Sequence, residues 1–172
     1  MSLSTDVALS PWRKIARVGI AGASVLALTA TGLMAASSAE ATSDSFSSTG
    51  AMATARQGAT AALTSHGTVL VAGGYNGSAS LATTSVYQPD SGTFTNGPTM
   101  STARNGAVSA SLDNGLVLIA GGYNGSEVGT AQLYDPSNNT LSAAGAMAMA
   151  VADAAAAKLN DGRVLVTGGL VG

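Results

Sequence analysis

The sequence has no cysteine and few charged or aromatic residues. Among its 172 residues, 9% are charged and 4% are aromatic, and the formal net charge is −2. The lack of cysteine excludes disulfides and thiolate metal sites, and the single histidine, His66, excludes a site built from several histidines. A weakly acidic chain also offers no basic face for nucleic acid. We therefore expect no metal, no cofactor and no nucleic-acid partner.

The composition favours strands and turns. The chain holds 22 glycines, and short runs of apolar residues alternate with glycine, asparagine and serine. A helical bundle needs more Glu, Lys, Leu and Arg, and a disordered chain needs a higher net charge and fewer apolar residues. The sequence therefore predicts an all-β protein with many turns.

Residues 1–39 have the three parts of a secretory signal peptide, which we predict to be helical. A basic region precedes an uncharged stretch over residues 18–36, and small residues then lead to candidate cleavage sites after Ala39 or Ala41. The alternative is an uncleaved anchor, because about 20 apolar residues span a bilayer. Both interpretations export the rest of the chain, to the periplasm, the cell surface or the medium.

The exported part, residues 40–172, repeats one unit. Three segments carry it: HGTVLVAGGYNGS, NGLVLIAGGYNGS and DGRVLVTGGLVG. Their glycine pairs, separated by 48 and then 47 residues, are Gly73-Gly74, Gly121-Gly122 and Gly168-Gly169. A tyrosine and a later apolar residue also recur, as Tyr87 with Phe94 and Tyr134 with Leu141.

Each unit predicts four short antiparallel strands. The predicted organisation is a fourth strand at 46–50, complete units at 56–97 and 104–145, and a half unit at 151–169. Four antiparallel strands in every 40 to 50 residues are typical of the blades of a β-propeller.

Dipeptides ending in glycine separate the first and second strands. They are His66-Gly67, Asn114-Gly115 and Asp161-Gly162. Type I′ hairpin turns favour Asn-Gly and Asp-Gly, because both central residues take a positive φ, and we predict such turns here. His66 could act as a general base, but its alignment with Asn114 and Asp161 favours a role in the turn.

One stretch gives conflicting signals. Residues 146–159 are rich in alanine and methionine and, taken alone, predict a helix. In the register of the repeat, residues 152–159 are instead the first strand of a third unit, because the turn and the strand after them follow without a gap. We predict a strand, since tertiary context overrides propensity.

These features resemble the kelch repeat family, in which a second strand ends in Gly-Gly and a tyrosine and then a tryptophan follow. Phe94 and Leu141 stand here at the place of the tryptophan, so the packing anchor is smaller than is usual in the family. The resemblance covers residues 46–172 and implies a β-propeller of four-stranded blades around a central channel. Members of the family include protein-binding modules, an oxidase and sialic-acid-processing enzymes. The units amount to eleven predicted strands, so we expect part of a kelch propeller, from a longer reading frame.

Four residues are candidates for ligand binding. Tyr75 and Tyr123 follow glycine pairs, and Arg56 and Arg104 occupy equivalent positions. The alternative role is structural: the tyrosines would pack over the glycines, and the arginines would donate hydrogen bonds to carbonyl groups between blades. The structural positions that the repeat itself predicts are the three glycine pairs, Tyr87 and Tyr134.

The sequence favours a binding protein over an enzyme. It shows no acid–base pair, no phosphate loop and no Ser-His-Asp series, so we assign no catalytic residue. We expect an exported module that binds or scaffolds a protein or glycan through its loops, with any membrane contact through the N-terminal segment. The alternative is part of a kelch-type glycan-active enzyme such as a sialic acid isomerase, for which a cluster of Arg, Glu and His at one face would be needed.

Overall fold

The structure, a computed structural model, describes residues 48–172. These residues form two four-stranded sheets and one two-stranded sheet, all antiparallel. The predicted all-β fold of four-stranded sheets is confirmed for this part of the chain. The predicted signal segment at 1–39 lies outside the described residues. Residues 48–172 contain no helix that is long and apolar enough to cross a membrane.

Each sheet follows the order of the sequence. Blade 1 consists of β1 Thr60–Leu63, β2 Val69–Ala72, β3 Thr84–Gln88 and β4 Thr93–Asn96. Blade 2 consists of β5 Val108–Ser111, β6 Val117–Ala120, β7 Thr130–Asp135 and β8 Thr140–Ala146. The half-blade consists of β9 Ala155–Lys158 and β10 Val164–Thr167.

The strand register places the connections at two opposite ends of the sheets. Thr60, at the start of β1, pairs with Ala72 at the end of β2, and Ala72 pairs with Thr84 at the start of β3. The linkers between sheets and the loops after the second strands therefore share one end, which we call the linker end. The short turns after the first and third strands lie at the other end, the turn end.

The first strands of the three sheets lie side by side. Ser109 of β5 donates a hydrogen bond to the carbonyl of Ala61 in β1 at 3.2 Å. At the linker end, the amide of Gly106 donates to the carbonyl of Gly58, and the amide of Asp153 donates to that of Gly106, both at 2.8 Å. The first strands thus form the inner edge of the assembly, and β4 and β8 form its outer edges.

The core lies between the sheets. A buried cluster between blades 1 and 2 contains Leu70, Ala72, Val86, Met100, Val117, Ile119 and Tyr134. A smaller cluster between blade 2 and the half-blade contains Val108, Ala120 and Ala131, with Met147, Ala156 and Val166 packed against it. The second strands are apolar because neighbouring sheets cover them. Tyr87 and Phe94 face each other across β3 and β4, with ring centroids 5.0 Å apart.

The alanine-rich stretch forms a strand, as its repeat register predicts. Ala155–Lys158 is β9, in which Ala157 pairs with Leu165 of β10. Pairing with β10 and packing against β5 stabilise this conformation. The tertiary contacts therefore override the high helix propensity of alanine.

The predicted type I′ turns are wrong. Among the described residues, only Asn139 and Asp153 have a positive φ without being glycine, so His66, Asn114 and Asp161 do not. The amide of Gly67 instead donates to the carbonyl of Thr64 at 3.1 Å. Within this loop, Gly67 is the one residue with a positive φ, 76°. This pattern is a three-residue loop, in which a type I turn precedes a left-handed glycine. Because the loop has three residues instead of two, His66, Asn114 and Asp161 do not need a positive φ.

The first predicted strand also differs from the structure. Residues 46 and 47 lie outside the described part, and residues 48–50 form no strand. The amide of Gly50 donates to the carbonyl of Gly92, in the turn between β3 and β4, at 2.7 Å. A single bond to a turn cannot form a ladder, which needs a partner strand in register.

Candidate functional site

The glycine pairs are the points at which consecutive sheets join. The amide of Gly74 donates to the carbonyl of Arg104, in the linker before blade 2, at 2.9 Å. A Cβ atom at Gly73 would overlap that same carbonyl oxygen, and one at Gly121 would lie 2.5 Å from the carbonyl oxygen of Val151. Gly73 also has a φ of 67°, which side chains rarely adopt. Glycine is required here for both backbone conformation and space.

Gly168, the first residue of the third glycine pair, has no linker against it in the described part of the chain. Gly168 has nearly the same φ as Gly121, 71° against 68°. A Cβ atom at Gly168 would meet nothing within 4 Å. Gly169 keeps the packing of its equivalents, since a Cβ atom there would lie 2.5 Å from the carbonyl oxygen of Ala152. Gly168 therefore keeps the conformation of Gly73 and Gly121 without their packing.

Arg104 links the two complete blades. Its Nη1 donates to the carbonyl groups of Gly121 at 2.8 Å and Thr130 at 2.9 Å, both in blade 2. Its main chain bonds to blade 1, because its amide donates to the carbonyl of Leu81 at 3.0 Å and its carbonyl accepts from Gly74. The guanidinium thus bonds within its own blade, and the main chain makes the bond between blades that we had expected of the side chain.

The charge of Arg104 is balanced by carbonyl dipoles instead of an acid. The side chain is fully buried, and its hydrogen-bond acceptors are carbonyl and hydroxyl oxygens. Its Nε has no hydrogen-bond partner among the described residues. Burial lowers the pKa of Arg104 and of the equivalent Arg56. Because Arg104 is enclosed, its side chain is not accessible to a ligand.

Two of the four candidate binding residues share a cleft. Arg56 and Tyr75 line a cleft of about 320 Å³ at the linker end, together with Gln57 and Asn76. Arg56 has the same fork as Arg104, with Nη1 donating to the carbonyl groups of Gly73 and Thr83, each at 2.9 Å. The guanidinium of Arg56 is therefore already hydrogen-bonded to carbonyl groups of its own blade.

Tyr123 lies at the corresponding place in blade 2 and is 40% exposed. Its carbonyl accepts a hydrogen bond from the Ser80 hydroxyl of blade 1 at 3.0 Å. Asn105 in turn donates to that hydroxyl at 2.8 Å. The loop of one blade therefore supports the tyrosine loop of the next.

Three other exposed apolar side chains belong, like Tyr123, to the linkers and loops at the linker end. Met149 and Leu170 are each 61% exposed and Val171 is 55% exposed. Met149 and Val171 line a cleft of about 360 Å³ with Glu127, which forms a β-bridge with Tyr123. We call the set Tyr123, Met149, Leu170 and Val171 the apolar patch. Sequence reasoning missed its last three members, although Leu170 follows the third glycine pair as the tyrosines follow the others.

A second, polar cleft lies at the turn end between blades 1 and 2. It has a volume of about 470 Å³, and its lining includes His66, Gln88, Tyr134 and Asn139. The Tyr134 hydroxyl donates to Oδ1 of Asn139 at 3.1 Å. Burial and, to a smaller extent, the charge of Asp135 raise the pKa of Tyr134. Among residues 48–172, no group of three or more His, Asp or Glu side chains could hold a metal ion.

The class of protein follows from these observations. Four-stranded antiparallel sheets that repeat every 48 residues and join through their linkers are blades of the propeller type. The model of the kelch motif matches residues 59–101, from the start of blade 1 to the linker before blade 2. Residues 59–101 thus carry a kelch motif, which supports the resemblance of the repeats to the kelch repeat family. No curated protein shows a significant match to the sequence.

Proposed function

We propose that this chain is an exported kelch-repeat module that binds another protein through the apolar patch. The observation that carries the proposal is the exposure of Tyr123, Met149, Leu170 and Val171 at one end of the sheets. Exposed apolar side chains grouped on one surface mark interaction sites, and aromatic residues and methionine are enriched in protein interfaces. Loops held on a rigid scaffold are common carriers of binding.

A protein partner fits this patch better than a glycan. Glycan recognition needs several hydrogen-bonding groups that converge on one place, whereas the apolar patch has Glu127 and Ser126 as the polar side chains in its cleft. Export is supported by the signal-like pattern of residues 1–39. An extracytoplasmic partner is therefore expected.

Site-specific photo-crosslinking in producing cells tests the proposal. A photoreactive phenylalanine analogue is placed at Tyr123 or Leu170, and a matched control is placed at His66, which is exposed at the turn end. We expect discrete protein adducts from positions 123 and 170 that are missing from position 66. Identical adducts at all three positions, or none at 123 and 170, would contradict a binding role for the patch.

A glycan array tests whether the ligand is a glycan instead of a protein. Because no polar cluster converges at the patch, we expect no binding to residues 40–172 at micromolar concentration. Micromolar glycan binding that is lost on Tyr123→Ser would replace the protein partner with a glycan.

A further inference from the structure

Five asparagines in the chain are followed directly by glycine, and all five lie among the described residues. They are Asn76, Asn96, Asn105, Asn114 and Asn124. Asparagine is a thermolabile residue, because the main-chain nitrogen of the next residue can attack its Cγ atom and displace ammonia. Glycine leaves this approach open, since it has no side chain. The reaction therefore needs a glycine nitrogen without a hydrogen bond and an asparagine side chain that is able to rotate towards it.

Main-chain hydrogen bonds hold three of the five glycine nitrogens. The amides of Gly97, Gly106 and Gly115 donate to carbonyl groups at 3.0, 2.8 and 3.1 Å. Each of these nitrogens would have to leave its acceptor before it could attack. The amides of Gly77 and Gly125 donate no main-chain hydrogen bond in the described part of the chain. The two pairs that contain Gly77 and Gly125 therefore meet the first condition.

These two pairs occupy equivalent loops, after β2 and after β6, in the same local sequence, Tyr-Asn-Gly-Ser. The loops differ in length. Tyr75 forms a β-bridge with Ser80, and Tyr123 forms one with Glu127. The loop in blade 1 therefore holds one more residue, Ala79, between its bridged partners. This residue is the reason why the first two glycine pairs are 48 residues apart and the next two 47.

The difference in length changes how each asparagine side chain is held. Oδ1 of Asn76 accepts from the amides of Ser78 at 3.0 Å and Ala79 at 2.9 Å, and both bonds must break before the side chain can rotate. The loop in blade 2 has no counterpart of Ala79 and closes through its main chain, where the amide of Asn124 donates to the carbonyl of Ser126 at 2.9 Å. Among the described residues, the Asn124 side chain has no hydrogen-bond partner, so it meets the second condition.

Water and hydroxide can reach both loops, because Asn76 and Asn124 are exposed. Asn76 stays exposed although a complete blade follows it in the chain. Exposure at this place is therefore a property of the loop itself. The two asparagines differ in the bonds that hold their side chains and not in their access to solvent.

We propose that Asn124 is a site of spontaneous deamidation. The Gly125 nitrogen loses its proton to hydroxide and attacks Cγ of Asn124, which forms a cyclic succinimide. The bond between Cγ and the side-chain nitrogen breaks, and that nitrogen takes a proton from water and leaves as ammonia. A second water opens the ring at either carbonyl and gives aspartate or isoaspartate. The product adds a carboxylate to the loop that carries Tyr123 and Glu127.

Ageing of the full chain in a mildly alkaline buffer tests the site. Samples are digested at intervals, and fragment mass spectra locate each new aspartate or isoaspartate. We expect Asn124 to react about tenfold faster than Asn76, because two weak net hydrogen bonds hold the Asn76 side chain. Asn114 should also react more slowly than Asn124, since the amide of Gly115 is bonded.

Unfolding in urea provides the matched control for the wild-type chain. The two loops share the sequence Tyr-Asn-Gly-Ser, so Asn76 and Asn124 should react at equal rates once the fold is lost. Equal rates in the folded chain, a faster reaction at Asn76, or a reaction at Asn124 in urea alone would overturn the proposal.

Two reciprocal variants test whether loop length is the cause. Deletion of Ala79 should raise the rate at Asn76 about tenfold, and insertion of an alanine after Ser126 should lower the rate at Asn124 by the same factor. Asn114 is the internal reference, because neither change touches its turn. Unchanged rates in both folded variants would show that the bonds to the Asn76 side chain do not control the reaction. The comparison within the wild-type chain holds whether or not the variants fold.

Discussion

The difference between two glycines with the same backbone conformation is a direct test of how the sheets join. Gly121 and Gly168 have φ values of 68° and 71°. Replacement by alanine therefore imposes the same left-handed strain at both sites, about 1–2 kcal/mol. Only Gly121 faces a neighbour, because its Cβ atom would lie 2.5 Å from the carbonyl oxygen of Val151.

The extra cost at Gly121 can be estimated from the contacts that must change. The new methyl group would displace the linker at Val151, whose carbonyl accepts from the amide of Gly122 at 2.8 Å. Overpacking costs about 1–3 kcal/mol, and the net hydrogen bond is worth about 1 kcal/mol. We expect Gly121→Ala to lower the free energy of unfolding by about 3–6 kcal/mol and Gly168→Ala by about 1–2 kcal/mol.

Urea denaturation of the full chain measures both losses, with equal m-values as the check that the unfolding reaction is the same. Hydrogen exchange at Gly122 gives a local readout, since its protection should fall in Gly121→Ala and persist in Gly168→Ala. If the two variants differ by less than about 0.5 kcal/mol, the size of an ordinary surface effect, the contact with the linker contributes nothing and the reasoning is refuted.

Three further predictions concern other parts of the chain. Arg104→Met should cost about 2–4 kcal/mol in urea denaturation, because it removes charged hydrogen bonds to blade 2; an unchanged midpoint would contradict this. Burial and then the charge of Asp135 raise the pKa of Tyr134, so its contribution to stability is complete below about pH 10 and is lost as the pH rises through the folded-state pKa. Tyr134→Phe should therefore reduce the fall in the free energy of unfolding at alkaline pH, and an unchanged pH profile would contradict this. Mass spectrometry of the exported protein should find an N-terminus at Glu40 or Thr42, whereas a retained initiator methionine would support the anchor.

Repetition is the reason why the sequence alone predicted most of the fold. The spacing of Gly73 and Gly121 and the recurring tyrosines indicated four-stranded units, and the register of 152–159 indicated a strand against its helix propensity. Each repeat unit packs against units like itself. A pattern of residues that recurs at the same position in every unit therefore reports tertiary contacts, which the sequence of one isolated segment does not. The turn type was wrong because the Asn-Gly preference ignores loop length, which depends on where strand pairing stops.

The candidate site depended on tertiary structure to a greater degree. The sequence marked Arg104 and Tyr123 as equivalent candidates for binding, but only the packing of two blades encloses the arginine and leaves the tyrosine 40% exposed. Met149 carries no motif, and Leu170 is marked in the sequence only by its place after the third glycine pair. Both lie at the linker end because the linkers and the loops after the second strands meet there. The sequence by itself determined the repeating strands and the glycines between them, through local propensity and period. The tertiary structure decided which side chains face solvent, because exposure depends on the neighbouring blade.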